Sequence, residues 1–334
     1  MLLWLAQQLQ EIEALSFLRM LDYISVRAIL AVVTAFLFSV IFGDRVIMWL
    51  KELKAGQQIR DDQGDDAISL KEMHLSKVGT PTMGGLLMLG ALLSAAVLFG
   101  DWSEPVFRLA VGMAIGFAAI GFVDDFRKIT KKNSAGLSAR GKLASQTALA
   151  IFFGAVMVYV HDGLISYPYA ETGGADLIIF PVMKDWFFHL GILYIPFVVL
   201  VLAGTSNAVN LTDGLDGLAA GTTISATLCF LVIAYMAGRA DLASYLIIPH
   251  VEGGGELVVL LSALIGGCFG FLWFNSYPAK VFMGDTGSMM IGGLLGAVAL
   301  LLKQEFLLVL VGGVFVAEIL SVVIQVTSYK WRQK

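Results

Sequence analysis

The chain has 334 residues, 58% of them hydrophobic, with a formal net charge of −4 and a mean hydropathy of +0.82. Charged residues are only 14% of the total, against roughly 25% in soluble domains, and they gather between apolar runs long enough to cross a hydrocarbon core of ~30 Å. These numbers exclude a soluble globular domain, give no basis for a nucleic-acid partner, and do not fit a β-barrel, whose segments are short and alternating.

In chain order, the opening stretch "MLLWLAQQLQEIEALSFLRM" contains acidic residues and neither a basic leader nor a cleavage site, so it does not read as a signal peptide. Residues 1–25 are expected to hold a short interfacial amphipathic helix. Spans are expected at Val26–Phe42, Thr82–Phe99, Val106–Val123, Leu143–Val160, Leu190–Leu202, Leu218–Ala237, Leu257–Phe274, Gly287–Leu302 and Phe306–Val326. The fold class is therefore all-α, a polytopic membrane bundle of about nine helices, read as one integral-membrane domain over residues 1–334. Cys229 and Cys268 lie inside apolar runs and read as buried packing residues, without metal spacing.

Most of the 22 Lys and Arg residues fall in segments 44–80, 124–142, 204–217, 275–286 and 327–334. By the positive-inside rule these segments are cytoplasmic and the N-terminus is outside. The polar motifs "GTPTMGG" (79–85), "GFVDDFRK" (121–128), "NAVNLTDGLDGLA" (207–219) and "VFMGDTGS" (281–288) all fall on that side. Four polar motifs on one face of a membrane bundle mark a site.

In the first motif Thr80 suits an N-cap and Pro81 the first helical position, so free helix N–H groups and nearby Lys77 would favour an anion. Asp124 and Asp125 close the third span, where isolated charges are partnered or functional. The bland alternative is a solvated helix end beside Arg127 and Lys128. Neighbours on a helix point about 100° apart, so one Asp is expected to face the reaction while the other orients a second group. Asn210, Asp213 and Asp216, three residues apart, would share one broad helix face, and Gly214 and Gly217 would let a ligand approach. Asp285 fits an N-cap, or equally a ligand for Mg²⁺, which takes carboxylates together with phosphate oxygens. The basic residues of 124–142 suit topology and anionic lipid, with Lys128 and Lys132 nearest the acids and able to neutralise phosphates. His74, His161, His189 and His250 make no metal spacing and receive no chemistry. Carboxylates, a divalent metal and cationic groups at a membrane surface are what phosphoryl transfer needs, with a lipid phosphate as one substrate.

Those four motifs, the last extended to "FLWFNSYPAKVFMGDTGS", resemble the polyprenyl-phosphate N-acetylhexosamine-1-phosphate transferases, and among them the phospho-N-acetylmuramoyl-pentapeptide transferase branch, from about residue 20 onward. The resemblance implies an Mg²⁺-dependent phosphoglycosyl transferase of peptidoglycan synthesis, multi-pass in the bacterial inner membrane, with its active site on the cytoplasmic face. It would convert UDP-MurNAc-pentapeptide and undecaprenyl phosphate to lipid I and UMP, as a homodimer in the bilayer. It further implies that Asp285 holds Mg²⁺ and that Asp124 and Asp125 are the essential acidic pair. Asn210 and Asp213 would belong to the catalytic region, and Lys77, Thr82, Leu215, Asp216, Asn275, Phe282 and Gly284 would line the nucleotide site. Members carry a histidine-bearing loop and a tenth span beyond "TSYKWRQK", so the contacts of those histidines are expected to be absent here. The first cytoplasmic loop, "RDDQGDDAISLKEMHLSK", is more acidic than the family's usual one. Three rival readings stand beside this one: a sister transferase using UDP-N-acetylglucosamine, a truncated homologue that only binds nucleotide, and a cation-coupled transporter. The last predicts mid-span carboxylates, of which Glu318 is the lone example.

Overall fold

The computed structural model describes residues 1–9, 13–53, 79–131, 136–160, 164–170, 174–181, 183 and 185–332. The chain is an all-α bundle. Helix α1 (Leu2–Leu9) and a 3-10 stretch (Glu13–Asp22) precede α2 (Ile24–Glu52), α3 (Gly85–Phe99), α4 (Pro105–Lys131) and α5 (Ala139–Val160). Then follow α6 (Tyr194–Thr212), α7 (Leu218–Ala237), the short α8 (Ala240–Leu246), α9 (Glu256–Asn275), α10 (Gly284–Leu301), α11 (Glu305–Val311) and α12 (Gly313–Arg332). Among the described residues, eight helices are long and apolar enough to cross a membrane, and the 15-residue α3 is a shorter apolar helix beside them. Two small antiparallel ladders, β1 (Ile165–Ser166) with β4 (His250–Val251) and β2 (Leu177–Ile179) with β3 (Phe187–His189), cover the end opposite the motifs.

Helices α9 and α10 carry apolar or small side chains all round and are buried almost throughout, as such a helix must be at the centre of a bundle. Around α9 pack α2, α3 and α7; around α10 pack α4 and α6. Small residues allow this closeness, because lipid supplies no hydrophobic drive between helices and backbones must meet directly. A Cβ on Gly266 of α9 would overlap the Val32 carbonyl of α2.

The strongest polar pairing inside the bundle is an Arg–Glu contact. At the end away from the motifs, Arg27 of α2 donates through both guanidinium nitrogens to Glu256 of α9, each at 2.6 Å, and also to the Phe99 carbonyl at 3.0 Å. The Asp101 N–H adds a third bond to Glu256 at 3.1 Å. One buried bidentate pair thus ties the ends of α2, α3 and α9.

Four sequence expectations need correction. Helix α3 starts at Gly85, so Thr80 is not its N-cap and Pro81 is not its first helical residue. That stretch is extended because it pairs with residues 281–283: Phe282 N–H donates to the Pro81 carbonyl at 2.9 Å, and Gly84 N–H to the Phe282 carbonyl at 2.8 Å. The third span does not end at Val123, since α4 continues to Lys131 with Asp124 and Lys128 paired one turn apart. The last apolar run is broken at the glycine pair Gly312–Gly313 into α11 and α12. Finally, Cys268 is buried but Cys229 sits on an exposed face of α7.

The buried pair predicts a mutant pattern. Arg27→Met strands Glu256 in the bundle and should destabilise by about 3–5 kcal/mol, whereas the double change with Glu256→Leu should be close to neutral. Thermal unfolding midpoints in detergent check this; a single mutant as stable as the parent contradicts the account.

Candidate active site

The site is built on the N-terminus of α10, which begins at Gly284 with no side-chain cap of its own. The first N–H groups of a helix need acceptors, and its dipole favours negative charge there. Both are supplied by other helices. Asp125 of α4 accepts from Thr286 N at 2.9 Å, Thr286 Oγ1 at 2.7 Å and Asp285 N at 3.2 Å. Asp213, at the C-terminal end of α6, accepts from Gly284 N at 3.1 Å. The approach requires glycines. A Cβ on Gly121 of α4 would collide with the Asp285 carbonyl, and one on Gly85 of α3 with the Gly287 backbone.

Held this way, Asp285 points into a polar cluster. Its carboxylate meets Lys142 Nζ of α5 at 2.8 Å, Lys128 Nζ of α4 at 3.2 Å and Asn210 Nδ2 of α6 at 2.9 Å. Asn210 also donates to Ser288 Oγ at 2.8 Å, and its own oxygen accepts from Lys142 at 3.2 Å. The neighbouring Asp124 makes a different set of hydrogen bonds from Asp125. It pairs with Lys128 at 2.5 Å and accepts from Leu137 N at 2.6 Å. The two adjacent aspartates thus differ in their hydrogen bonds, Asp125 holding the start of α10 and Asp124 the Lys128 ammonium, which Asp125 also meets at 3.8 Å.

Asp124, Asp125 and Asp285 bring carboxylate oxygens within 4.8 Å of one another. An oxygen-only donor set suits Mg²⁺ chemistry. Three carboxylates against the two lysines leave one net negative charge, which a dication with a phosphate ligand would balance. Burial pushes the Asp213 carboxyl up to about 8, with the Gly284 N–H opposing the shift and Asp285, Asp125 and Asp216 adding to it. A buried carboxyl poised near neutrality among other charged groups is characteristic of functional sites.

The stretch 207–219 does not form one helix. α6 ends at Thr212, Asp213 to Gly217 make a turn, and Gly217 at φ +77° opens α7. Asn210, Asp213 and Asp216 consequently share no helix face, because glycines 214 and 217 break the helix between them. They nevertheless converge on one strip of chain, since Asn210 reaches Asp285, Asp213 the Gly284 N–H, and Asp216 the Ala279 N–H at 3.2 Å. Asn275 spends both ends of its amide on backbone, taking Gly217 N–H at 3.0 Å and donating to the Val281 carbonyl at 2.9 Å. It thereby ties the turn to the 276–283 loop. Leu215 is exposed on that turn, and Thr82 and Phe282 belong to the paired segments beside it. Lys77 and Lys132 lie outside the described residues.

Lys142, Thr286 and Ser288 were not singled out from the sequence. Lys142 reads there as one of several loop cations, although it opens a helix whose next turns pack on α6.

The sequence model of glycosyl transferase family 4 matches residues 107–303. The match spans Asp124, Asp125, Lys142, Asn210, Asp213 and Asp285. Removing the shared cap has a definite expected effect. Asp125→Ala leaves three donors of α10 without an acceptor and should lower stability by about 1–3 kcal/mol, read as a lower unfolding midpoint in detergent. An unchanged midpoint would contradict the capping role.

Proposed function

The chain belongs to glycosyl transferase family 4, and from that premise we propose that its donor is UDP-MurNAc-pentapeptide and its acceptor undecaprenyl phosphate, giving lipid I and UMP. Membership makes it a membrane-embedded phosphoglycosyl transferase that passes a phospho-sugar to a polyprenyl phosphate. The observation that carries the finer reading is the meeting of Asp124, Asp285, Lys128 and Lys142 beside the turn 213–217. That meeting lies at the bundle end whose loops hold most of the Lys and Arg, which supports a cytoplasmic site in a bacterial inner membrane. The muramoyl branch is supported by the motifs "NLTDGLDGLA" and "GTPTMGG", and the family resemblance supports a homodimer.

In this reading an oxygen of the lipid phosphate bonds to the β-phosphorus of the donor. The bond from that phosphorus to the bridging oxygen breaks, and UMP leaves with the electron pair. Lys128 and Lys142 donate to phosphoryl oxygens, whose charge must be neutralised as it shifts toward the leaving group. Asp124 faces the acceptor phosphate and takes its proton when it arrives protonated. Asn210 and Asp125 keep Asp285 in place, one through its side chain and the other through the α10 backbone. Mg²⁺ held by Asp285 and Asp124 would supply charge neutralisation on the diphosphate. The turn with Leu215 and Asp216, together with Thr82, Asn275, Phe282 and Gly284, offers the wall for the uridine.

The test is UMP release by the purified chain from UDP-MurNAc-pentapeptide and undecaprenyl phosphate with Mg²⁺. EDTA should abolish release, and Asp285→Ala should reduce it by at least about 100-fold with the unfolding midpoint preserved. Near-normal turnover in that variant overturns the metal assignment. Preferential use of UDP-N-acetylglucosamine in direct competition overturns the donor assignment and favours the sister reaction.

A further inference from the structure

Lys142 must reach Asp285 from α5, a helix at the edge of the bundle that packs mainly on α6. Its ammonium ends a flexible four-carbon stem, so its position depends on the rotation and height of α5. Apolar contacts further along α5, made by Ala150, Phe153 and Met157, are buried but non-directional. One turn beyond Lys142, however, lies Gln146, which is fully buried. Its Nε2 donates to Ser206 Oγ at 3.2 Å and to Asn207 Oδ1 at 3.4 Å, and its Oε1 accepts from Asn207 Nδ2 at 3.0 Å. Asn207 also donates to the Ala203 carbonyl at 2.8 Å. Residues four apart on α5 and three apart on α6 share a face. The two helices are therefore joined by successive polar rungs, Lys142 with Asn210 and Gln146 with Asn207.

We propose that Gln146 is a positioning residue, whose paired amide contact with Asn207 sets the register of α5 on α6 and so holds the Lys142 ammonium on Asp285 and Asn210. The physical reason is directional. A shift of α5 by one residue rotates its side chains by about 100°, which strips the buried Gln146 amide of its partners and leaves Asn207 only its bond to the Ala203 carbonyl of its own helix. Buried polar contacts that specify register are the best-attested use of such groups. Among the described residues, Gln146 hydrogen-bonds to Ser206 and Asn207, outside the carboxylate cluster, so it acts through Lys142. The turnover arm of the inference rests on the transferase reading; its other arm does not.

The test uses the full chain in lipid nanodiscs with two readouts. The first is the rate of reductive methylation of Lys142 by formaldehyde and a borohydride, followed by mass spectrometry with Lys128 as the internal reference. The second is kcat and KM for UMP release. Gln146→Leu should raise Lys142 labelling several-fold without changing Lys128, and should lower kcat by about 10- to 100-fold, the usual cost of losing an orienting partner. KM for the donor should stay within about twofold. In a Lys142→Met background the same change should lower kcat no further, because contacts acting through one group are not additive. The exchange Gln146→Asn with Asn207→Gln preserves the amide pair and should restore parental labelling, and it serves also if Gln146→Leu does not fold. Unchanged Lys142 labelling in Gln146→Leu overturns the proposal, as does a kcat loss of equal size with and without Lys142. A parent chain that releases no UMP would overturn the transferase reading, and labelling alone would then decide the positioning role.

Discussion

The site depends on one unusual helix terminus. α10 starts at half-buried residues with no capping side chain of its own, so its first N–H groups need acceptors from elsewhere. Carboxylates from α4 and α6 take that place, Asp125 holding Asp285 and Thr286 and Asp213 holding Gly284. Because these caps come from other helices, they fix α4, α6 and α10 relative to one another at the residue that faces the lysines. Structural satisfaction and chemical placement are the same contacts here.

The rest of the bundle serves that junction. α10 is buried along its length, so its position is set by neighbours on every side, and glycines at 85 and 121 let α3 and α4 come close enough for their polar groups to reach it. At the far end the Arg27–Glu256 pair joins α2 to α9. On the site side, Asn275 ties the turn 213–217 to the loop 276–283 beside the charged cluster. The electrostatics are economical. Two ammonium groups nearly balance three carboxylates, and the remaining negative charge suits a dication accompanied by an anionic substrate.

Much of this was legible in the sequence, for identifiable reasons. Apolar runs between clustered charges gave the helical class, and helix parity put Asp124, Asn210, Asp213 and Asp285 at one end of the bundle. The expectation that Asp124 and Asp125 differ follows from the 100° step between helix neighbours; their hydrogen-bond partners differ, while both stay beside Lys128. What escaped depends on contacts between distant segments. The start of α3 is displaced to Gly85 because residues 80–84 pair with 281–283. Asn210, Asp213 and Asp216 converge through a turn, since Gly214 and Gly217 end the helix that their spacing suggested. Lys142 was hidden among cations explained by membrane topology, and only the packing of α5 on α6 brings it to Asp285.

The central claim is that Asp124 and Asp285 form the metal-binding face while Asp125 holds that face in place through the α10 backbone. Mn²⁺ titration of the purified chain, followed by electron paramagnetic resonance with UMP present, addresses it most directly. The account predicts one saturable site that is lost in Asp124→Asn and in Asp285→Asn, and that survives with weakened affinity in Asp125→Asn. Mn²⁺ binding of parental strength in Asp285→Asn would contradict it.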